Sequence, residues 1–197
     1  PKAPVATVQV WYKVGSRNEV MGRAGLSHML EHMMFKGTAR YPKGSFSRIV
    51  RKNGGIDNAF TGQDFTAYFE NVAADRVGLA LELEADRMQG LLLDHSEFQT
   101  ERDVVKEERR LRSEDDPQGA LVEALFAQAF LSHPYHWPVI GWFADLDAMS
   151  LEDLQRHYDT FYSPNNATLV VVGDIKSDSL LPTIKRLLEP IPRGPSP

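Results

Sequence analysis

Three side chains within one short stretch have the types and spacing for hydrolytic chemistry. Residues 28–32 read His-Met-Leu-Glu-His, so His28, Glu31 and His32 stand at i, i+3 and i+4. On a helix those positions share one face, and two imidazoles and a carboxylate would project together. Neutral imidazoles are common zinc ligands, and a carboxylate beside the metal can take a proton from its water. A helix that merely displays two surface histidines would carry polar flanks. Here Leu26, Met29, Leu30, Met33, Met34 and Phe35 make the segment apolar nearly all round, which predicts a buried helix. Burying two imidazoles and a glutamate unpaired is costly, and a bound metal removes that cost.

A catalytic zinc takes three protein ligands and keeps a further position open, so a third ligand must come from elsewhere in the chain. Residues 97–113, EFQTERDVVKEERRLRS, contain no Gly or Pro and read as helix. Phe98, Val104, Val105 and Leu111 mark its expected inner face. Glu101 and Glu108, two helical turns apart, lie on that stripe. Glu107 points elsewhere, and Glu97 opens the helix, where the dipole favours an acid. Either Glu101 or Glu108 could supply an oxygen ligand. Each could equally pair with Arg102, Arg109 or Arg112 at the surface.

The series of blocks along the chain resembles the N-terminal, metal-binding half of the M16 (pitrilysin-type) zinc peptidases, whose reversed His-x-x-Glu-His order is the inverzincin signature. The blocks are VGSRNE at 14–19, GLSHMLEHMMFKGT at 25–38, GGIDNAFTGQDFTAYFENV at 54–72, LELEADRM at 81–88, ERDVVKEERR at 101–110, HPYHWPVIG at 133–141 and FYSPNNATLVVVGD at 161–174. The resemblance implies one zinc ion held by His28, His32 and Glu108, with Glu31 as general base. It assigns Glu101 a further functional role, orienting a ligand or aiding proton movement. It also implies that the strand carrying Asn58, Ala59, Phe60 and Thr61 receives an extended peptide substrate as an added strand, with Ala59 and Thr61 leaving room for a second backbone. In that family a second, similar half, fused or separate, helps close the site through an Arg and a Tyr, so this chain alone is expected to bind zinc but cleave weakly. Relatives that only dock lose parts of the His-x-x-Glu-His block, whereas this chain keeps it whole.

These side chains need a scaffold to meet. Val5 to Val14 form a β-branched, aromatic run that reads as a strand. Gly25–Phe35 is the expected metal helix, stopped by Gly37, and Phe46–Asn53 a short helix ended by Gly54 and Gly55. Ile56–Thr61 and Thr66–Val72 read as two strands joined at Gly62-Gln63-Asp64. Helices are expected at Ala74–Gly90, with Leu79, Leu83 and Met88 inward, and at Ser96–Arg112, with Ser96 as N-cap. Another starts at Asp116-Pro117 and runs through Phe130, because Pro fits a first turn. Helices follow over Ser150–Phe161 and Ser177–Leu188, with a fully apolar strand, Ala167–Gly173, between them. Strands and helices do not alternate regularly, so the expected class is α+β: a mostly antiparallel sheet with helices on one face, as in the LuxS and mitochondrial processing peptidase type of metallohydrolase domain. Residues 1–188 would form the catalytic domain, without the family's first strand. Residues 189–197, EPIPRGPSP, read as a Pro-rich linker toward a second half.

Composition narrows the alternatives. The chain has 197 residues, enough for one sizeable domain, with 42% apolar and 25% charged residues. A net charge of −5 without a Lys/Arg run gives no general attraction for nucleic acid. No apolar stretch has the length of a membrane span. There are no cysteines, which excludes disulfides, thiolate catalysis and a Cys-based zinc site. His133 and His136, set among Pro134, Tyr135, Trp137 and Pro138, read as a structural plug rather than a second metal site. Bacterial relatives are often exported and mitochondrial ones work in the matrix; the compartment stays open, a periplasmic or exported location being favoured over the cytoplasm or the mitochondrial matrix.

Overall fold

The computed structural model of the chain describes residues 3–196. Its strands are β1 (Val5–Tyr12), β2 (Ile56–Thr61), β3 (Thr66–Ala73) and β4 (Ala167–Gly173). Its helices are α1 (Leu26–Met33), α2 (Ser45–Lys52), α3 (Val77–Gly90), α4 (His95–Arg109), α5 (Pro117–Ala129), α6 (Phe143–Ala148), α7 (Leu151–Phe161) and α8 (Ser177–Leu188). The four strands pair antiparallel throughout in the order β2-β3-β1-β4. This is the expected α+β class.

The period-2 alternation of β1 decides which face is covered. Ala6, Val8, Val10 and Tyr12 are buried against helices, while Thr7, Gln9 and Trp11 look the other way. One core joins Val10, Tyr12 and Tyr68 to α1, α4, α6 and α7. A second joins Ala6, Val8 and Val72 to α2, α3 and α8. On the uncovered face Trp11, Phe60 and Phe65 interlock, with ring centroids 5.1–5.9 Å apart.

The interior also holds a buried charge cluster. The Arg87 guanidinium pairs with Glu84 and Glu70 and lies 4.2 Å from the Phe46 ring centre and 4.4 Å from that of Tyr68. The apolar stripe of α3 carries this ion pair inward with Leu81, Leu83 and Met88.

Two local expectations need correction. Asp94, not Ser96, caps α4, accepting from the backbone N–H groups of Ser96 and Glu97 at 2.9 and 3.0 Å. Val104 and Leu111 are exposed, at 47% and 67%. The buried stripe of α4 runs through Phe98, Glu101 and Val105, and Val104 stands 100° round the helix from Val105. Beyond Arg109 the helix loosens into a π-turn, Arg110–Glu114, which carries Leu111 away from the core. The expected strand β4 forms, at the sheet edge, where Val172 is 66% exposed.

The stretch 189–196 has no regular secondary structure. It lies against the turn before β4, with Ile191 buried and Asn165 bonded to the backbone of Gly194 and Pro195. Residues 1, 2 and 197 of the expected domain and linker lie outside the described residues. No described helix is long and apolar enough to cross a membrane.

Candidate metal centre

Helix α1 is too short to persist alone, so its surroundings must hold it. Met29, Leu30, Met33 and Met34 are almost wholly buried, each worth about 1.5–3 kcal/mol in apolar burial. The helix starts without a capping side chain of its own, at Gly25 in the left-handed region. Glu19 caps it from outside. Its two carboxylate oxygens accept the N–H groups of Gly25 and Ser27, each at 2.7 Å. A side chain at Gly25 would meet the Ile140 carbonyl at 2.7 Å, so Gly is required where the loop 133–141 crosses the helix start. That loop is itself anchored. The Trp137 indole N–H donates to the Ser16 carbonyl, and the Tyr135 hydroxyl bonds Asp64. This is the structural use foreseen for the loop. Among the described residues the one group of His and acidic side chains able to hold a metal is His28, His32 and Glu108.

These three side chains meet across α1 and α4. The His28 and His32 rings lie 4.7 Å apart. Glu108 Oε2 is 3.7 Å from His28 Nε2 and 3.3 Å from His32 Nε2. The three ligand atoms all fall within 4.8 Å of one another. Ligands about 2.0–2.1 Å from a tetrahedral zinc lie about 3.3 Å apart, so the set fits the ion with small adjustments. Arg112 takes the other oxygen of Glu108 at 2.9 Å, which leaves Oε2 to face the imidazoles.

Glu101 stands behind these three side chains rather than among them. Its Oε1 accepts from His32 Nδ1 at 2.9 Å, and its Oε2 pairs with the Lys36 ammonium. With one proton held on Nδ1 by Glu101, loss of the Nε2 proton would free the lone pair on the Glu108 side, the tautomer a metal requires. The Nδ1 of His28 is buried without a hydrogen-bond partner among the described residues.

The electrostatics separate the groups by role. Burial, helped by the neighbouring His32, pushes the His28 imidazole down to about 4, so it is neutral at pH 7. Burial also lowers the proton affinity of His32, but the Glu101 and Glu108 carboxylates outweigh it and raise the imidazole to about 9. A metal must displace that proton. The hydrogen bond to His32 holds Glu108 below the usual carboxylate range. Glu101 is lowered as well: burial works against this, and the bonds from His32 and Lys36 overcome it. Glu31 moves the other way. Burial raises it, although a hydrogen bond from Thr61 at 2.5 Å partly offsets the rise. Within one cleft the two distal acids are held toward the ionised form, while burial favours the protonated form of the third.

That cleft has a volume of about 820 Å³. His28, Glu31, His32, Glu101 and Glu108 form its floor, Asn58, Ala59, Phe60 and Thr61 one wall, and Val122, Phe126 and Ile140 lie among its other lining residues. The alternation of the β2–β3 ladder shows how that wall is oriented. Gly62 donates to the Phe65 carbonyl at 2.8 Å, so Phe60, Asn58 and Ile56 bond inward to β3. The N–H and C=O groups of Asp57, Ala59 and Thr61 therefore face the open edge. The Ala59 N–H is met there only by the side-chain oxygen of Asn58, at 2.9 Å.

Sequence reasoning singled out every residue of this floor but missed two that hold it. Glu19 and Lys36 lie inside recognised blocks, yet their partners are set by tertiary contact. An acid ahead of a helix start was the available signal for Glu19.

Comparison with known proteins finds relatives of the chain. The profile of the family described as Insulinase (Peptidase family M16) matches residues 1–141, and that of the Peptidase M16 inactive domain matches residues 148–197. The chain is 43% identical over 188 residues to the zinc protease PqqE of Helicobacter pylori, covering 95% of this chain and 42% of that protein. A crystal structure of a protease from Helicobacter pylori superposes with a TM-score of 0.96 at 41% identity, covering 100% of this chain and 48% of the other. The first half of the periplasmic protease PqqL from Escherichia coli gives a TM-score of 0.86 at 25% identity, covering 98% and 42%. The chain thus spans less than half the length of these relatives.

Proposed function

Because this chain belongs to the insulinase family of peptidases, M16, whose zinc proteases use zinc, we propose that it forms the zinc-binding part of an endopeptidase that cleaves extended peptides or unfolded chains. The observation that carries this reading is the convergence of His28 Nε2, His32 Nε2 and a Glu108 oxygen beside the raised carboxyl of Glu31. His28, His32 and Glu108 would hold the ion. When bound, zinc supplies Lewis acidity, which polarises a carbonyl and makes water easier to deprotonate.

The rest is the work of this chain's own residues. Glu31 takes a proton from the attacking water and delivers it to the leaving amine, a role suited to a carboxyl raised above its ordinary value. Glu101, ionised beside Lys36, keeps the proton of His32 on Nδ1. The free edge of β2 offers main-chain donors and acceptors at Asp57, Ala59 and Thr61 to an extended peptide. Pairing through main-chain bonds tolerates varied side chains.

A second half, in the same polypeptide or a partner subunit, is part of this proposal. The cleft is open, no residue of α5 is buried, and Leu121, Val122 and Leu125 stand exposed on that helix beside the cleft. Such a surface suits a partner that covers the site and excludes water.

The discriminating experiment is Glu31→Gln in the full-length protein. The expected result is unchanged zinc content and a loss of peptide cleavage of at least about 10²–10⁴-fold. Undiminished cleavage would refute the assignment of the base. A protein with full zinc that cleaves no extended peptide would favour a docking role.

A further inference from the structure

We propose that Thr61 is a positioning residue of the hydrolytic reaction: its hydroxyl fixes one carboxylate oxygen of Glu31 and so ties the general base to the strand that receives the substrate. This rests on the peptidase reading above and adds to it a mechanical link between the substrate and the base.

Thr61 is the last residue of β2, and alternate residues of the strand face opposite ways. Asp57, Ala59 and Thr61 form the more buried set, on the helix side of the sheet, while Ile56, Asn58 and Phe60 are exposed. From that side Thr61 Oγ1 donates to Glu31 Oε2 at 2.5 Å. Among the described residues the Glu31 side chain makes no other hydrogen bond.

A glutamate side chain has several soft torsions, the last one broad. Without a tether the Glu31 carboxylate could swing toward the Arg112 guanidinium or the imidazole of His32, both in the same cleft. The Thr61 bond holds Oε2, which leaves Oε1 as the oxygen available to water. The backbone of the same residue faces the open edge of the sheet. A peptide that pairs with β2 therefore takes its register from the residue that also aims the base. The distance from scissile carbonyl to base is then fixed through one side chain instead of through two independently moving elements. The methyl group of Thr61 plays no part in this, so a serine should serve.

The test compares Thr61→Val, which keeps shape and removes the hydroxyl, with Thr61→Ser, which keeps the hydroxyl, in the zinc-loaded full-length protein acting on an unstructured peptide. A misplacement of the order of an ångström at a reacting group lowers rate by about 10²-fold. The expected result for Thr61→Val is a fall in kcat of roughly 10–100-fold, KM within about twofold and zinc content unchanged. Thr61→Ser should restore kcat to within about threefold of wild type. Wild-type kcat in Thr61→Val overturns the proposal. So does a serine variant as poor as the valine variant, which would assign the effect to packing of the methyl group, and so does a loss confined to KM. A wild-type protein that holds zinc yet cleaves no peptide would overturn the peptidase reading and this assignment with it. Wild-type cleavage that is indifferent to Thr61→Val overturns this assignment alone.

Discussion

Replacing Glu101 by Gln tests how the site selects its metal-ready tautomer. Glu101 Oε1 accepts from His32 Nδ1 at 2.9 Å, its other oxygen pairs with Lys36, and its side chain is only 10% exposed. The substitution keeps the shape and removes the charge. It also lets the new amide present either its oxygen or its NH2 group to His32, so the imidazole is no longer committed to a proton on Nδ1. Losing such an outer partner lowers metal affinity by about 10–100-fold, or about 1.4–2.8 kcal/mol. Lys36, with its side chain 18% exposed, loses its counter-charge at the same time. The assay is zinc competition against a chelator of known affinity, for wild type, Glu101→Gln and Lys36→Met. The predicted order of affinity is wild type, then Lys36→Met, then Glu101→Gln, with cleavage by Glu101→Gln partly recovered at saturating zinc. An unchanged zinc Kd in Glu101→Gln would refute the argument. A loss as deep as that of Glu108→Gln would show that Glu101 is itself a ligand.

Other consequences are independent of that one. Ala59→Pro removes a donor on the free edge of β2 without breaking the β3 ladder; it should raise KM about tenfold at constant zinc content, and unchanged kinetics would count against strand addition. His157 is buried beside Ser27, 3.1 Å from its hydroxyl, and burial pushes it from 6.5 down to about 4. It stays neutral in the fold while the unfolded chain binds a proton below 6.5, so its contribution is intact above about pH 6.5 and up to about 3 kcal/mol is lost as pH falls toward 4. Denaturant melts of His157→Gln should therefore show a flatter fall in stability across that window than wild type, and parallel curves would contradict this. Arg87→Met strands the carboxylates of Glu84 and Glu70 in the core and should lower unfolding free energy by about 3–5 kcal/mol. Apolar replacement of all three together should recover most of that loss, and a single variant as stable as wild type would refute it.

The parts of the fold that were legible in the sequence are those with a short period and a local stop signal. The β2–β3 hairpin reads directly from β-branched and aromatic residues around Gly62, and α1 from its apolar flanks ending near Gly37. Helix α4 is instructive because two stripes compete in its sequence. Phe98 and Val105 mark one, and Val104 and Leu111, each displaced by about one residue, mark another. Hydrophobicity alone does not choose between them. The positions of Glu101 and Glu108 do, because only the first stripe turns both toward the histidines of α1. The apolar run of β4 identifies a strand, yet whether a neighbour covers it is a property of the sheet and not of those residues. The contacts that finish the site link residues far apart in the chain: Glu19 to the start of α1, Lys36 to Glu101, and Thr61 to Glu31. Nothing in local composition marks them as partners.

The most direct test is elemental analysis of protein stripped of metal, re-equilibrated with zinc and freed of excess, for wild type, Glu108→Gln and Glu107→Gln. Glu107 is the control, on the same helix but turned outward toward Arg110. The account predicts one zinc per chain for wild type and Glu107→Gln, and loss of the ion in Glu108→Gln. No zinc in the wild-type protein, or full zinc retained by Glu108→Gln, would contradict it.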